Sequence, residues 1–175
     1  MNVRLLLTDI TKLKVDVIVN SANRMLFRGS GICGAIHKAA GIELQKECIE
    51  IQQKNFPKGL RIGEVAVTKA YNLPSNWVFH TLGPRHGADD INLLQNCYIN
   101  CINLADSLGA KSISFPAIST NIYGVPIEFS DKTVKDVLDN LHEMKSLEEI
   151  NLVFFKEENH KVYSVVFQTE KELKR

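Results

Sequence analysis

A glycine-rich loop follows the apolar run VDVIVN and leads directly into a predicted helix. Gly29, Gly31 and Gly34 would let the backbone approach a ligand closely, and a helix start presents unpaired N–H groups at its positive dipole end. Such a segment is suited to binding an anion through backbone amides. The alternative is a tight turn that needs positive φ, because the loop lacks the Lys and Ser/Thr of a P-loop and departs from the dinucleotide fingerprint.

A second loop follows the strand-like run SISFP. It reads AISTNIYGVP, with small and hydroxyl-bearing residues before Tyr123, Gly124 and Pro126. Two loops of this kind, each placed after a central strand, could hold a diphosphate from both sides. The pair is therefore more informative than either loop alone.

Two further side chains follow the predicted outer strands. Asp9 ends the first strand, where its carboxylate could accept a hydrogen bond from an exocyclic amine. The alternative for Asp9 is a cap of the following turn. Phe155 ends the last strand and could stack on a base, and its alternative is simple core packing.

Strand-like and helix-like patterns alternate along the chain. This alternation predicts an α/β fold, a three-layer α/β/α sandwich around a central mixed, mostly parallel sheet. Ligands bind such sheets beyond the carboxyl ends of the strands, so the loops described above should meet there. The predicted strands are VRLLLTD, VDVIVNSAN, EVAVTKAY, WVFHTLG (after the turn LPSN), SISFPAIS and EINLVFFKEE. The predicted helices are 31–55 with an interruption at Gly41, 90–108 ended by Gly109, one with Pro126 in its first turn and running to about Lys145, and 160–175.

Composition indicates an ordinary globular chain and limits its partners. The 175 residues, 45% hydrophobic and 23% charged, predict one domain over residues 1–175. With 21 Lys and Arg against 20 Asp and Glu, the net charge of +1 argues against a protein held on nucleic acid or anionic lipid by excess positive charge. No apolar run could cross a bilayer, and the charged N-terminus is unlike a signal peptide. We therefore expect a cytoplasmic protein, with the nucleus as the alternative.

The four cysteines are predicted to be buried thiols. Such scattered cysteines in a chain of this size need not form disulfides, and no His or Cys pair has obvious metal-ligand spacing. We therefore expect neither a metal nor a cofactor. One predicted helix carries two of the cysteines on a core-facing stripe, made of Leu94, Cys97, Tyr98, Cys101, Ala105 and Leu108.

The same segments together resemble the macrodomain family, an ADP-ribose-binding module. The resemblance covers nearly the whole chain and implies the α/β/α fold that the alternation predicts. It rests on six ordered segments: TDITKLKVDVIVNSAN, GSGICGAIHKAAG, GEVAVTKAYNLP, VFHTLGP, SISFPAISTNIYGVP and FFKEEN.

The resemblance implies a role for each candidate residue. Asp9 would accept a hydrogen bond from the adenine amino group, beside the backbone of Ile10, and Phe155 would stack on the adenine. Asn23 would bind the distal ribose, and Tyr123 would pack against that sugar. The first phosphate loop would be Gly29, Ser30, Gly31, Ile32, Cys33 and Gly34, and the second would be Ser119, Thr120, Asn121, Ile122 and Tyr123.

The chain resembles in particular the MacroD-type branch, which removes ADP-ribose from acidic side chains or deacetylates O-acetyl-ADP-ribose. Asn23 would then orient the ribose while a water near the diphosphate attacks, and the amides of the first loop would stabilise developing negative charge. The implied partners are ADP-ribose, mono-ADP-ribosylated proteins and O-acetyl-ADP-ribose, bound by a monomer. The alternative is a non-catalytic ADP-ribose reader. Binding of RNA or poly(ADP-ribose) is disfavoured by the near-neutral charge.

Departures from the MacroD-type pattern bear on catalysis. That branch usually reads GGGGVDGxIH, and Cys33 stands where its catalytic Asp would be. A thiol, with an ordinary pKa of roughly 8.5, does not simply replace a carboxylate. GSGIC also resembles the GDGVC loop of alphavirus macrodomains, a hydrolytic branch without that Asp. Cys33 could be a nucleophile or a small residue that shapes the pocket.

Other departures leave further alternatives. His37 lies one helical turn beyond Cys33, where it could polarise a water or the thiol, or simply pack. His80 is expected to be structural. Asn121 replaces a glycine of the second loop and would tolerate left-handed geometry there. Arg28 replaces a glycine of the first loop and either covers the phosphates or faces solvent.

Overall fold

The β-rich runs of the sequence form one six-stranded sheet in the computed structural model, which describes residues 1–173, with side chains to residue 168. The strands are β1 (Asn2–Leu7), β2 (Val15–Ser21), β3 (Val65–Lys69), β4 (Ser75–Thr81), β5 (Ser112–Pro116) and β6 (Glu149–Phe154). The helices are α1 (Gly31–Ala40), α2 (Ile42–Asn55), α3 (Leu94–Ser107), α4 (Ile127–Asp139) and α5 (Glu157–Leu173). Short 3₁₀ turns cover Ile10–Lys12 and Ile91–Leu93.

The sheet is mixed and mostly parallel, as predicted. Its strand order is β1-β6-β5-β2-β4-β3, and β3 pairs antiparallel with β4 while all the other neighbours are parallel. The carboxyl ends of the five parallel strands therefore lie at one edge. The segments that follow β2 and β5 are neighbours at that edge because these two strands pair directly.

Helices cover both faces of the sheet and complete the three layers. Val17 and Val19 of β2 pack with α3, α4 and α5, whereas Ile18 between them packs with α1 and α2. This alternation follows from the period of two along a strand. Both faces of β2 are buried, which is why its sequence is nearly continuous in Val and Ile.

Gly41 interrupts the long helical run 31–55, as predicted. It has φ +93°, and its N–H donates to the carbonyl of His37, which closes the last turn of α1. A Cβ at this position would come within 2.9 Å of the Asn72 side chain. Positive φ and the lack of space both favour glycine here.

The predicted bounds of α4 were wrong at both ends. Pro126 is the N-cap residue and lies just before the first turn, and the helix ends at Asp139 instead of near Lys145. The side chain of Asn140 donates to the carbonyl of Asp136 and caps the end. The next residues do not continue the helix because Asp106 accepts hydrogen bonds from the backbone amides of residues 145–147 and draws them towards β6.

Several other predicted bounds also shift. β1 ends at Leu7, so Asp9 lies beyond the strand, and β4 begins at Ser75, within the predicted turn. β6 ends at Phe154 and α5 already begins at Glu157, while the end of the predicted last helix, residues 174–175, lies outside the described residues. On α3, the stripe is buried from Leu94 to Ala105. Leu108 is 45% exposed because it caps the helix end and leaves the stripe. None of the helices within residues 1–173 is long and apolar enough to span a membrane.

Candidate functional site

A cavity of about 220 Å³ lies between the segments that follow β2 and β5. It is smaller than the roughly 300–1,000 Å³ of ordinary ligand pockets, so it can enclose only part of a nucleotide-sized ligand. The two glycine- and hydroxyl-rich loops form its opposite walls. Its lining residues are Ser21, Ala22, Asn23, Gly29, Ser30, Gly31, Ile32, Cys33, Ala117, Ser119, Asn121, Ile122 and Tyr123.

The first wall is the start of α1. Ser30 is the N-cap residue but its side chain makes no capping hydrogen bond, so the first amides of the helix are not closed off by a side chain. Gly31 has φ +57°, which turns the chain into the helix. Gly34 does not line the cavity, but a Cβ on it would come within 2.6 Å of the Gly29 carbonyl oxygen, so its lack of a side chain lets the loop pack on the helix.

Asn23 lies at one end of this wall, where its side chain holds the loop closed. Its Oδ1 accepts from the Phe27 backbone N–H at 3.0 Å, and its Nδ2 donates to the Phe27 carbonyl oxygen at 2.6 Å. Leu26, inside this turn, has φ +59° and is buried. The second N–H of the Asn23 amide can still donate to a ligand, because an amide nitrogen carries two protons.

The second wall contains a strained serine. Ser119 has φ +64° and is 4% exposed, and no described residue forms a hydrogen bond with its Oγ. A Cβ on Gly83 would overlap this hydroxyl, so the absence of a side chain there provides its space. The Val125 N–H donates to the Ser119 carbonyl oxygen and fixes the turn. The left-handed residues of this loop are Ser119 and Gly124, so Asn121 does not adopt the left-handed geometry that it would tolerate.

The two walls approach one another across the cavity. A Cβ on Gly31 would lie 4.0 Å from Cδ1 of Ile122. Ile122 is itself 73% exposed at the mouth of the cavity that it lines. Tyr123 next to it is half-buried, and burial is the main cause that raises its pKa. Thr120 turns away from the cavity wall and donates through Oγ1 to the carbonyl oxygen of Ala117.

Asp9 and Phe155 lie beside the cavity and not inside it. They follow β1 and β6, which are neighbouring strands. The Thr8 N–H donates to the Phe154 carbonyl oxygen and so joins the ends of these two strands. Oδ1 of Asp9 caps the 3₁₀ turn by accepting from the N–H and the hydroxyl of Thr11. Phe155 is 86% exposed, which excludes the core-packing alternative. Ile10 is buried beneath this surface.

Cys33 lines the cavity but is bound to its surroundings. Its Sγ donates to the Phe27 carbonyl oxygen at 3.7 Å and accepts from Nδ2 of Asn20 at 3.6 Å. The thiol is 6% exposed. These contacts favour a residue that shapes the loop over a nucleophile, because the sulfur already has two partners.

His37 does not line the cavity, so the predicted contact with a catalytic water is not supported. Its ring lies in the interior, 6.2 Å from the ring of His80 between centroids. Burial, and to a smaller extent Arg28, lowers the pKa of His37, and burial lowers the pKa of His80 to about 3. Both imidazoles are therefore neutral near pH 7. Arg28 is exposed and lies outside the cavity lining, as the solvent-facing alternative predicts.

The arrangement can bind an anion without a cationic side chain. Backbone amides at a helix start and the loop that follows β5 border one small cavity, and no Lys or Arg is among the described residues that line it. The cavity is also lined by Ser21, Ala22 and Ala117, which were not predicted from the sequence as site residues. Ser21 and Ala22 lie within the segment VNSAN, whose position at the end of β2 was the available signal.

The sequence of this chain is similar to those of known proteins. A family model described as Macro domain matches residues 19–134. The chain is 42% identical over 159 residues to a Pantoea vagans protein called O-acetyl-ADP-ribose deacetylase 1, with 89% of this chain and 92% of the relative covered. It is 44% identical over 167 residues to the O-acetyl-ADP-ribose deacetylase of Escherichia fergusonii, with 89% of each chain covered.

Solved structures resemble the whole fold. A mutant of the Oceanobacillus iheyensis macrodomain with ADPR has a TM-score of 0.91 and 36% identity, over 96% of this chain and 92% of that one. The Trypanosoma brucei macrodomain in complex with ADP-ribose has a TM-score of 0.82 and 31% identity, over 95% of this chain and 69% of that one.

Proposed function

The chain belongs to the Macro domain family, and we propose that it binds ADP-ribose and hydrolyses ADP-ribosyl esters at the distal ribose. The observation that carries the proposal is the pair of loops that face each other across one cavity, with the uncapped amides of the α1 start on one side and the loop that follows β5 on the other. A diphosphate between them would be neutralised by helix-start amides, which explains how a chain with net charge +1 can bind a dianion.

The remaining parts of ADP-ribose fit the surroundings of the cavity. The adenine would lie outside it, stacked on the exposed ring of Phe155 and held through its amino group by Asp9 Oδ2, which accepts from no described residue. The distal ribose would lie by Asn23 and Tyr123, inside the cavity. The small volume is consistent with a ligand of which only the central and distal parts are enclosed.

The reaction class is ester hydrolysis. Water adds to the ester, the bond between the acyl group and the ribose oxygen breaks, and ADP-ribose and a carboxylic acid are released. Asn23 would orient the ribose through its free N–H, and the uncapped amides of Gly31 and Ile32 would stabilise the developing negative charge. Neither Cys33 nor His37 is needed as a nucleophile or base, since the sulfur has two partners and the imidazole lies outside the cavity.

The substrates we propose are proteins mono-ADP-ribosylated on Glu or Asp, and O-acetyl-ADP-ribose. Two relatives with 42% and 44% identity carry the name of the second activity, which supports this class of ester. The second candidate function is a reader that binds ADP-ribosylated protein without chemistry. Cys33, in place of the acidic residue expected from the MacroD-type pattern, favours that alternative.

An assay on both substrates distinguishes the two functions. The chain, in molar excess, is incubated with a protein mono-ADP-ribosylated on Glu or Asp and, separately, with O-acetyl-ADP-ribose, and free ADP-ribose is measured over time. We expect release from at least one ester. Binding of free ADP-ribose without release from either ester would reject the hydrolase and support the reader.

A further inference from the structure

Three side chains behind the cavity form a second polar cluster that the proposed function does not use. His37 on α1, Cys48 on α2 and His80 on β4 bring one ring nitrogen or sulfur each to within 4.8 Å of the other two. All three are buried, with exposed fractions of 4%, 0% and 0%. Because the residues come from three separate elements, their sequence spacing gives no sign of the cluster.

Ordinary hydrogen bonding leaves this cluster incomplete. His37 Nδ1 is buried and has no hydrogen-bond partner among the described residues, and the same holds for Asn20 Oδ1 beside His80. A buried polar atom without a partner costs roughly 1–3 kcal/mol, so the site favours any water or ion that supplies the missing partner. The partnerless nitrogen belongs to His37, whose neighbours in the cluster are the imidazole of His80 and the thiol of Cys48.

We propose that His37, Cys48 and His80 bind one soft monovalent d¹⁰ metal ion, of which Cu(I) is the biological example. Thiolate sulfur and imidazole nitrogen are the ligands that such ions prefer. On binding, the Sγ–H bond of Cys48 breaks, a sulfur–metal bond forms and the proton leaves to solvent. No electron transfer is involved.

The separation of the ligand atoms favours three-coordinate geometry. Cys48 Sγ lies 3.8 Å from His80 Nε2. With bonds of about 2.3 Å to sulfur and about 2.0 Å to nitrogen, two ligands lie about 3.7 Å apart at 120° and about 3.5 Å apart at the tetrahedral angle. The observed distance is closer to the trigonal value. All three ligand atoms lie within 4.8 Å of one another, so any separation near that limit has to shorten when an ion binds.

Charge favours a monovalent over a divalent ion. One thiolate and two neutral imidazoles carry a charge of −1, so Cu(I) would give a neutral site. Zn²⁺ would leave a net charge of +1 in the interior, where the cost of desolvation is large. The cluster contains no carboxylate that could compensate this charge.

Neighbouring side chains can adapt to a bound ion. His80 Nδ1 now pairs with Nδ2 of Asn20 at 3.1 Å, and a half-turn of that amide would place the partnerless Oδ1 against a protonated Nδ1. Metal-bound imidazoles usually donate their second N–H in this way. The Thr68 hydroxyl, now 2.9 Å from His80 Nε2, has the carbonyl oxygen of Val78 at 3.5 Å as a second partner.

Competition with a chelator tests the site in the full chain. The background variant is Cys33→Ala, which removes the thiol that lines the cavity, and the probe is Cu(I) supplied anaerobically as its bicinchoninate complex. One sample stays folded, and another is refolded from denaturant with the probe so that burial cannot prevent entry. We expect one Cu(I) per chain in the refolded sample, with one sulfur and two nitrogen neighbours by X-ray absorption.

Variants distinguish Cu(I) binding at this cluster from non-specific Cu(I) binding by other cysteine thiols. In Cys48→Ala the affinity should fall by at least about 100-fold, whereas the matched Cys101→Ala, which removes an equally buried thiol on α3, should bind as before. His37→Gln, which retains the polar side chain, should weaken binding as well and serves if Cys48→Ala does not fold. No uptake in either sample, equal uptake by Cys48→Ala and Cys101→Ala, or tighter binding of Zn²⁺ than of Cu(I) would overturn the proposal.

Discussion

The two edges of the sheet use polar side chains in opposite ways. At the amino ends of the strands, Asp16 accepts from the backbone amides of Lys111 and Ser112 and from the side chain of Asn76. Asp106 nearby accepts from three consecutive backbone amides. These carboxylates have protein partners and hold connections in place.

The carboxyl edge carries features that weaken a fold. Ser119 has a left-handed backbone, which costs of order 1–3 kcal/mol, and a buried hydroxyl without a described partner. Ile122 and Phe155 expose large apolar surfaces. The amino edge has a left-handed residue and a partnerless buried hydroxyl of its own, at Tyr71 and Ser75. The contrast between the edges therefore rests on the open cavity and its glycine-rich loop at the carboxyl edge, against carboxylates that hold connections in place at the amino edge.

Of the changes at the two edges, loss of the Asn23 side chain should have the largest effect on turnover. We expect Asn23→Ala to lower turnover of the ester substrate by about 10²–10³-fold, the usual effect of losing one positioned donor, and to weaken ADP-ribose binding by less than about tenfold. Steady-state kinetics and calorimetry measure the two quantities. Asn76→Ala, at the amino edge, is the control and should leave both unchanged. Equal losses of turnover and affinity in Asn23→Ala would support a reader.

A methyl group on Gly34 should damage the first phosphate loop with little loss of fold. The new Cβ in Gly34→Ala would press on the Gly29 carbonyl oxygen at 2.6 Å and push the loop into the cavity. We expect about 10–100-fold weaker ADP-ribose binding by calorimetry, since displacements near 1 Å have effects of this size. Gly109→Ala, at φ +78° with open space around it, should cost about 1 kcal/mol in stability but no affinity. Unchanged binding in Gly34→Ala would contradict the assignment of this loop.

Low pH should reduce the stability of the fold through Asp106, which lies at the amino edge. Backbone N–H groups of Leu147 and Ser146 are the main causes that lower the pKa of Asp106 to about 2. Because this value lies below the unfolded-state pKa of about 3.9, the stabilisation is present above pH 4 and is lost as the pH falls towards 2. Asp106→Asn should therefore be less stable than the parent near pH 6 and lose less stability between pH 4 and pH 2, measured by denaturant unfolding. Glu148→Gln, which removes one exposed ion pair with Lys111, should keep the parent's acid dependence.

The smallest effect is expected at the cavity thiol. Cys33→Ala should retain turnover within about threefold, because the thiol is held by Phe27 and Asn20 and each of these weak contacts contributes little. Progress curves with the ester substrate measure the change. A loss of more than about 10³-fold, with ADP-ribose binding intact, would instead identify Cys33 as the nucleophile.

Much of the fold was predictable because it depends on local patterns. Val17, Ile18 and Val19 predict a strand buried on both faces, and Gly41 predicts the break between α1 and α2. The end of α4 was not predictable, since it depends on Asp106, which is distant in sequence. The same limit applies to the strand order, where β5 lies between β2 and β6.

The candidate site was predictable to a similar degree. The sequence predicted both loops and Phe155 because each follows a strand, whereas Asn23 came from the resemblance to macrodomains. It gave no sign of the left-handed backbone at Ser119, whose carbonyl oxygen accepts from the Val125 N–H. It also gave no sign that His37 packs against His80, because that contact depends on how α1 lies on the sheet.

Calorimetric titration with ADP-ribose tests the central claim most directly. If backbone amides and helix starts bind the diphosphate at the carboxyl edge, the chain should bind one ADP-ribose with saturable heat. The affinity should change little between low and moderate salt, because the described residues that line the cavity include no Lys or Arg. No saturable heat, or binding that collapses as salt rises, would contradict this account of the site.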